Sequence, residues 1–157
     1  MTSKIKTSPS FSNIDVSVLC EKWPEGMEKI LIHTTQYALE AAGYKNHDVE
    51  VSLVLADDTF VQDLNKKWRG KDKPTNVLSF PQDEESTLGD VIMAYETVAA
   101  EAQEQGKSFA DHAVHLTVHG ILHLIGHDHE NDHEAEDMES LEISILAHLG
   151  IKNPYDC

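Results

Sequence analysis

Residues 110–125 constrain the fold most. The stretch is apolar enough to be a buried helix, yet it carries His112, His115, His119 and His123. At 3.6 residues per turn these four positions fall on one side of a helix. The rest of that helix must be packed against a sheet or other helices, which leaves one face to imidazoles. Seven of the chain's ten histidines lie between positions 112 and 133.

His119 and His123 sit one helical turn apart, so both imidazoles can reach one ion at about 2.0–2.1 Å. A third ligand on the next turn of a straight helix would be carried past that ion. Gly126, three residues after His123, permits a left-handed turn. The turn brings His129 to a third corner of a tetrahedron and leaves the fourth open for water, as in catalytic zinc sites. The spacing H-x3-H-x2-G-x2-H is that of the zinc peptidases H-E-x-x-H-x-x-G-x-x-H, but Gly120 stands where their general base would be. The pattern therefore predicts one zinc ion on His119, His123 and His129, with Gly126 as the structural turn, and counts against ordinary peptidase chemistry. His127 is the alternative third ligand. Asp128 is a candidate to hold a ligand imidazole or to cap the turn. His112 and His115 are either neighbours of the site or packing residues, and spacing does not choose.

The flanking sequence supplies a small framework. Strands are expected at 14–20, 49–56, 77–80 and 90–95, and helices at 27–42, 60–68, 97–105, 110–125 and 134–149. Asp57 and Asp58 are N-cap candidates, and Gly43, Gly106 and Gly150 are helix stops. Residues 81–89 read as a loop. The order predicts an α+β or α/β single domain: a four-stranded mixed sheet packed against about five helices, with the zinc site on a late helix-turn. Residues 1–13 are expected to be a flexible terminus and 14–152 the catalytic domain. Neither a GxGxxG nor a GxxxxGK[ST] pattern is present, so a dinucleotide or P-loop site has no support. Between 130 and 142 there are seven acidic residues and no basic ones. With Met138, Leu141, Ile145 and Leu149 on one side, that segment reads as a core helix with an acidic outer face.

The chain has 157 residues and a net charge of −16, which disfavours unspecific attachment to nucleic acid or an anionic membrane. No window approaches a membrane span, and Cys20 and Cys157 read as free thiols. A cytoplasmic protein with no membrane partner is expected. Against the acidic background, Lys66, Lys67, Arg69, Lys71 and Lys73 place five of the twelve basic residues within eight positions. Arg69 suits bidentate contact with a phosphate, and Lys71 and Lys73 would join it in holding a polyanion. Ser79 and Asp90, near the ends of short strands, are undecided between site and packing.

RGKDKPTNVLSF (69–80) followed by GDV (89–91), together with HGILHLIGHDH (119–129), resembles the YbeY family of bacterial rRNA maturation factors. The resemblance runs from about Val49 to about Glu142. His127 stands where the family commonly has tyrosine, and Asn76 where it often has aspartate. The resemblance implies a zinc-dependent, single-strand-specific endoribonuclease acting in late small-subunit rRNA 3′-end maturation and ribosome quality control. It implies His119, His123 and His129 as zinc ligands and Arg69 as a functional arginine. It also implies ribosomal RNA and the small ribosomal subunit as partners, with a ribosomal protein and an assembly GTPase. A zinc metallopeptidase-like hydrolase and a non-enzymatic, zinc-stabilised ribosome-assembly factor are the other readings.

Overall fold

A computed structural model describes residues 11–84, 86–126 and 132–155. Among these, four strands and five helices follow the order β1 (Ile14–Val18), α1 (Met27–Ala41), β2 (Glu50–Ala56), α2 (Asp58–Arg69), β3 (Val77–Glu84), β4 (Thr87–Ala94), α3 (Tyr95–Gln105), α4 (Phe109–Leu124) and α5 (Asp132–His148). The sheet is mixed, in the order β1-β2-β4-β3. β1 and β2 are parallel, as are β2 and β4, and β3 returns antiparallel to β4 along the edge. The α+β reading and its element order hold.

Strand alternation divides the core. Val51, Leu53, Leu55, Val91 and Met93 point into the larger cluster, where they meet Leu31 and Leu39 of α1, Val118, Ile121 and Leu122 of α4, and Met138 and Ile145 of α5. Ile92, Ala94, Ala56 and Leu78 point the other way, onto Val61 and the half-buried Leu64 of α2. One sheet face thus carries the histidine helix and the other carries α2, whose last turn holds the start of the basic segment.

The two helix starts beside the sheet cap each other. Asp57 accepts from the Phe60 N–H at 2.9 Å, as a helix N-cap should. Asp58 instead accepts from the backbone N–H of Thr97 at 2.9 Å, while its own N–H donates to Glu96 Oε1 at 2.8 Å. That hydrogen bond holds the Glu96 carboxyl below its ordinary range, assisted by Lys22 and opposed by partial burial.

Two expectations change. The supposed loop 81–89 is mostly hairpin: Pro81 lies opposite Gly89 and Glu84 opposite Thr87, with a register shift between them. Proline and a run of polar residues hide a strand whose ladder partners are supplied by β4. Of the stretch 1–13 expected to be flexible, the described residues 11–13 are held in place. Phe11 is 1% exposed in the main core, its carbonyl accepts from Gln36 Nε2 at 2.8 Å, and Asn13 Nδ2 donates to the Asp48 carbonyl at 2.7 Å.

Candidate active site

The histidine face of α4 opens onto a cleft of about 720 Å³, lined among others by His115, His119, His123, Arg69, Ser79 and Tyr155. α4 reaches this position because Gly120 lets it lie directly on the sheet. A Cβ built at Gly120 would stand 2.8 Å from Val91 Cγ1 and 3.2 Å from Ser79 Oγ. The Ser79 hydroxyl donates to the Gly120 carbonyl at 3.3 Å, tying β3 to the helix. Ser79 therefore both packs the sheet and lines the cleft. The position that carries the peptidase glutamate faces the sheet here, where no side chain fits without moving the helix.

His119 Nε2 and His123 Nε2 face each other 3.1 Å apart. A tetrahedral ion bound at about 2.0–2.1 Å holds two nitrogens roughly 3.4 Å apart, so this convergence suits a shared divalent metal. His119 Nδ1 is turned the other way, 3.1 Å from Glu142 Oε2. With Nδ1–H donated to that carboxylate, the tautomer leaves the Nε2 lone pair facing the cleft. The chain then ends α4 as its sequence suggests: Ile125 closes the last turn and Gly126 follows with φ of +105°, a value that favours glycine. His129, His127 and Asp128 lie outside the described residues. Among the described residues no group of three potential ligands is assembled.

Glu142 was read as part of an acidic outer face, and it is not. Its side chain is fully buried on the inner side of α5. Besides His119, it lies 3.3 Å from His115 Nε2, and its Oε1 accepts from the Tyr155 hydroxyl at 2.9 Å. Burial opposes its ionisation, but the nearby His115 imidazole and the hydrogen bonds with His119 and Tyr155 outweigh that and bring its pKa down to about 2. Burial beside this anion raises the Tyr155 pKa. The signal was present: Glu142 stands four residues after Met138 and three before Ile145, on the apolar stripe itself. Tyr155 carried no such signal, because the tail after Gly150 has no periodicity.

The remaining candidates separate cleanly. His115 belongs to the cleft. His112 does not: it is 2% exposed, and its Nε2 pairs with Glu101 Oε1 at 2.9 Å. Burial lowers the His112 pKa, and the Glu101 hydrogen bond only partly offsets it. Asn76 Nδ2 donates to the same Glu101 oxygen at 3.0 Å, which gives the asparagine a use at a position where aspartate would bring a second carboxylate. Asp90 neighbours Val91 in β4, and alternation turns it away from α4 and the histidines. Arg69 lines the main cleft and also a second cavity of about 390 Å³ that includes Lys71 and Lys73. Arg69 thus reaches the histidine cleft, while Lys71 and Lys73 line the neighbouring cavity, although α2 and α4 pack on opposite faces of the sheet.

Imidazoles turned into an open cleft with Arg69 on its wall suit a hydrolase. Comparison supplies the particular family. A profile of the family described as Endoribonuclease YbeY matches residues 15–150. Proteins of that name from Paramagnetospirillum magneticum and Methylocella silvestris are 51% and 48% identical, each over 90% of this chain and over 94% and 85% of their own lengths. One from Bradyrhizobium diazoefficiens is 44% identical over 98% of this chain and 90% of its own. A Thermotoga maritima protein of known solution structure is 27% identical, with a TM-score of 0.59 over 90% of this chain and 96% of that one. The chain belongs to the YbeY family of endoribonucleases.

Proposed function

We propose that the cleft binds one zinc ion and hydrolyses phosphodiester bonds of single-stranded RNA, acting in the cytoplasm on the 3′ end of small-subunit ribosomal RNA. The observation that carries this reading is the convergence of His119 Nε2 and His123 Nε2 in a cleft that also holds Arg69. His119, His123 and His129 would hold the ion, which when bound supplies Lewis acidity toward a phosphoryl oxygen and a water of lowered pKa. Glu142 keeps His119 in the tautomer and orientation that binding requires. Arg69 stabilises charge on the phosphoryl oxygens, and Lys71 and Lys73 hold the flanking phosphates. The small ribosomal subunit, a ribosomal protein and an assembly GTPase are the proposed partners. The packing of Gly120 against Val91 argues against a peptidase base at that position.

The test is an RNA cleavage assay on zinc-loaded protein beside His123→Ala and Arg69→Ala. His123→Ala should lose the metal and the cleavage together. Arg69→Ala should keep the metal and the melting temperature, while cleavage falls by about an order of magnitude or more. Full cleavage after exhaustive chelation would rule out the metal, and a metal-loaded wild type that cleaves no RNA would leave a zinc-stabilised assembly factor.

A further inference from the structure

Trp68 is 63% exposed, more than any other large hydrophobic side chain among the described residues. It sits in the last turn of α2, whose inner side is already filled by Val61 and Asn65. Lys66, Lys67 and Arg69 in that turn are accounted for by the helix dipole alone, since cations stabilise a helix C-terminus. The dipole gives no reason for an indole left in water.

Three features of its surroundings point to one occupant. The Lys67 ammonium stands over the indole, 5.2 Å from its centroid, so a cation covers one face and a base would stack on the other. The next residue, Arg69, lines both the histidine cleft and the cavity of Lys71 and Lys73. This segment also concentrates the basic residues of a chain whose net charge is −16, which makes it the part of the surface suited to a polyanion. An aromatic face interleaved with cations is how single strands are held without sequence preference: each base has a π-face, and each phosphate a charge to neutralise. A paired base is stacked within its duplex and cannot lie on the ring.

We infer that Trp68 is a stacking platform for an unpaired RNA base, on a track that enters the cleft past Arg69; this rests on the RNA-cleaving reading of the cleft. Trp68 directly precedes Arg69 in the last turn of α2 and lines neither cavity, so the platform stands outside the cleft rather than within it. The platform selects single strands beside the bond to be cut and acts on binding rather than on the chemical step.

The chain has two tryptophans, and the other, Trp23, is 5% exposed with its indole N–H donated to the Ala56 carbonyl at 2.9 Å. Both indoles fluoresce, but only the exposed one can be quenched by direct contact with a base, and Trp68→Phe supplies the Trp23 baseline. Titration with a non-cleavable single-stranded 2′-O-methyl oligoribonucleotide should quench Trp68, and the same oligonucleotide annealed into a duplex should not. Trp68→Ala should weaken binding of the labelled oligonucleotide, read by anisotropy, roughly ten-fold. It should raise KM for RNA cleavage by a similar factor, with kcat falling far less, at unchanged melting temperature. Trp68→Phe should recover much of the affinity. The platform is overturned if the oligonucleotide binds without quenching, if the duplex quenches equally, or if Trp68→Ala binds and cleaves as wild type does. Loss of ribosomal-protein capture by Trp68→Ala at unchanged RNA affinity would overturn it in favour of a protein contact. Quenching in a protein that cleaves no RNA would retire the cleft reading and leave the platform standing.

Discussion

Two of the histidine–carboxylate contacts that α4 makes are of nearly equal length, 2.9 Å at His112–Glu101 and 3.1 Å at His119–Glu142. They are built in opposite senses. In the first, the imidazole side chain is 3% exposed and the carboxylate 31%; in the second, the carboxylate is fully buried and the imidazole is 22% exposed. Desolvation falls on the buried member of each pair. It keeps His112 neutral and confines it to packing. Glu142 stays ionised because two imidazoles and a phenol converge on it, and the imidazole it anchors is presented outward. Which partner is buried, rather than the contact itself, separates a packing histidine from one turned toward the cleft.

The comparison breaks most visibly at Glu142. Glu142→Ala leaves His119 and the Tyr155 hydroxyl without their buried acceptor, which should cost about 3–5 kcal/mol in denaturant unfolding. Zinc affinity should fall roughly 10–100-fold in a metal titration. Glu101→Ala, at a half-buried carboxylate, should cost about 1 kcal/mol and leave zinc affinity unchanged. Equal costs would mean that the two pairs do not differ in the way their burial implies.

The pH dependence of stability sharpens the other pair. The folded-state pKa of His112 is depressed, so below pH 6.5 the unfolded chain takes up this proton first. Stability from His112 is complete above that value and is lost as pH falls through the folded pKa. Between pH 7 and 5.5 the wild type should lose stability more steeply than His112→Gln, by up to about 1.4 kcal/mol per pH unit. Thermal melts across that window decide it, and equal slopes would remove His112 as a buried neutral group.

Tyr155→Phe should have the smallest effect. The ring is 43% exposed, and the Glu142 carboxylate keeps its Oε2 contacts. About 1 kcal/mol or less should be lost in thermal unfolding, with zinc affinity reduced only a few-fold. A loss as large as that of Glu142→Ala would make the phenol, rather than the imidazoles, the main support of the carboxylate.

The legible parts of this molecule were the local ones. Helix starts and stops were written in Asp57, Gly43 and Gly106, and the His119–His123 pair needs only one turn of helix to meet. Elements whose form depends on distant partners were harder to read. Residues 81–84 become strand only because β4 lies alongside, and Phe11 becomes core only because α1 and the residues around Asp48 receive it. Glu142 reads as solvated when its acidic neighbours are considered, and as buried only once α4 lies against α5. The basic segment was legible as a charge cluster, but its place beside the histidines comes from the crossing of the sheet between α2 and α4.

β3 forms both an edge of the sheet and one wall of the cleft, through Val77, Ser79 and Pro81. An outermost strand offers unpaired backbone groups to any other chain, and pairing there would lead to self-association. Pro81 removes one of the donors such pairing needs, because a proline in an edge strand sits where its nitrogen faces away from the neighbouring strand. The register shift that follows Pro81 interrupts the ladder again. The same short stretch that shapes the wall of the cleft therefore makes it a poor template for a second copy.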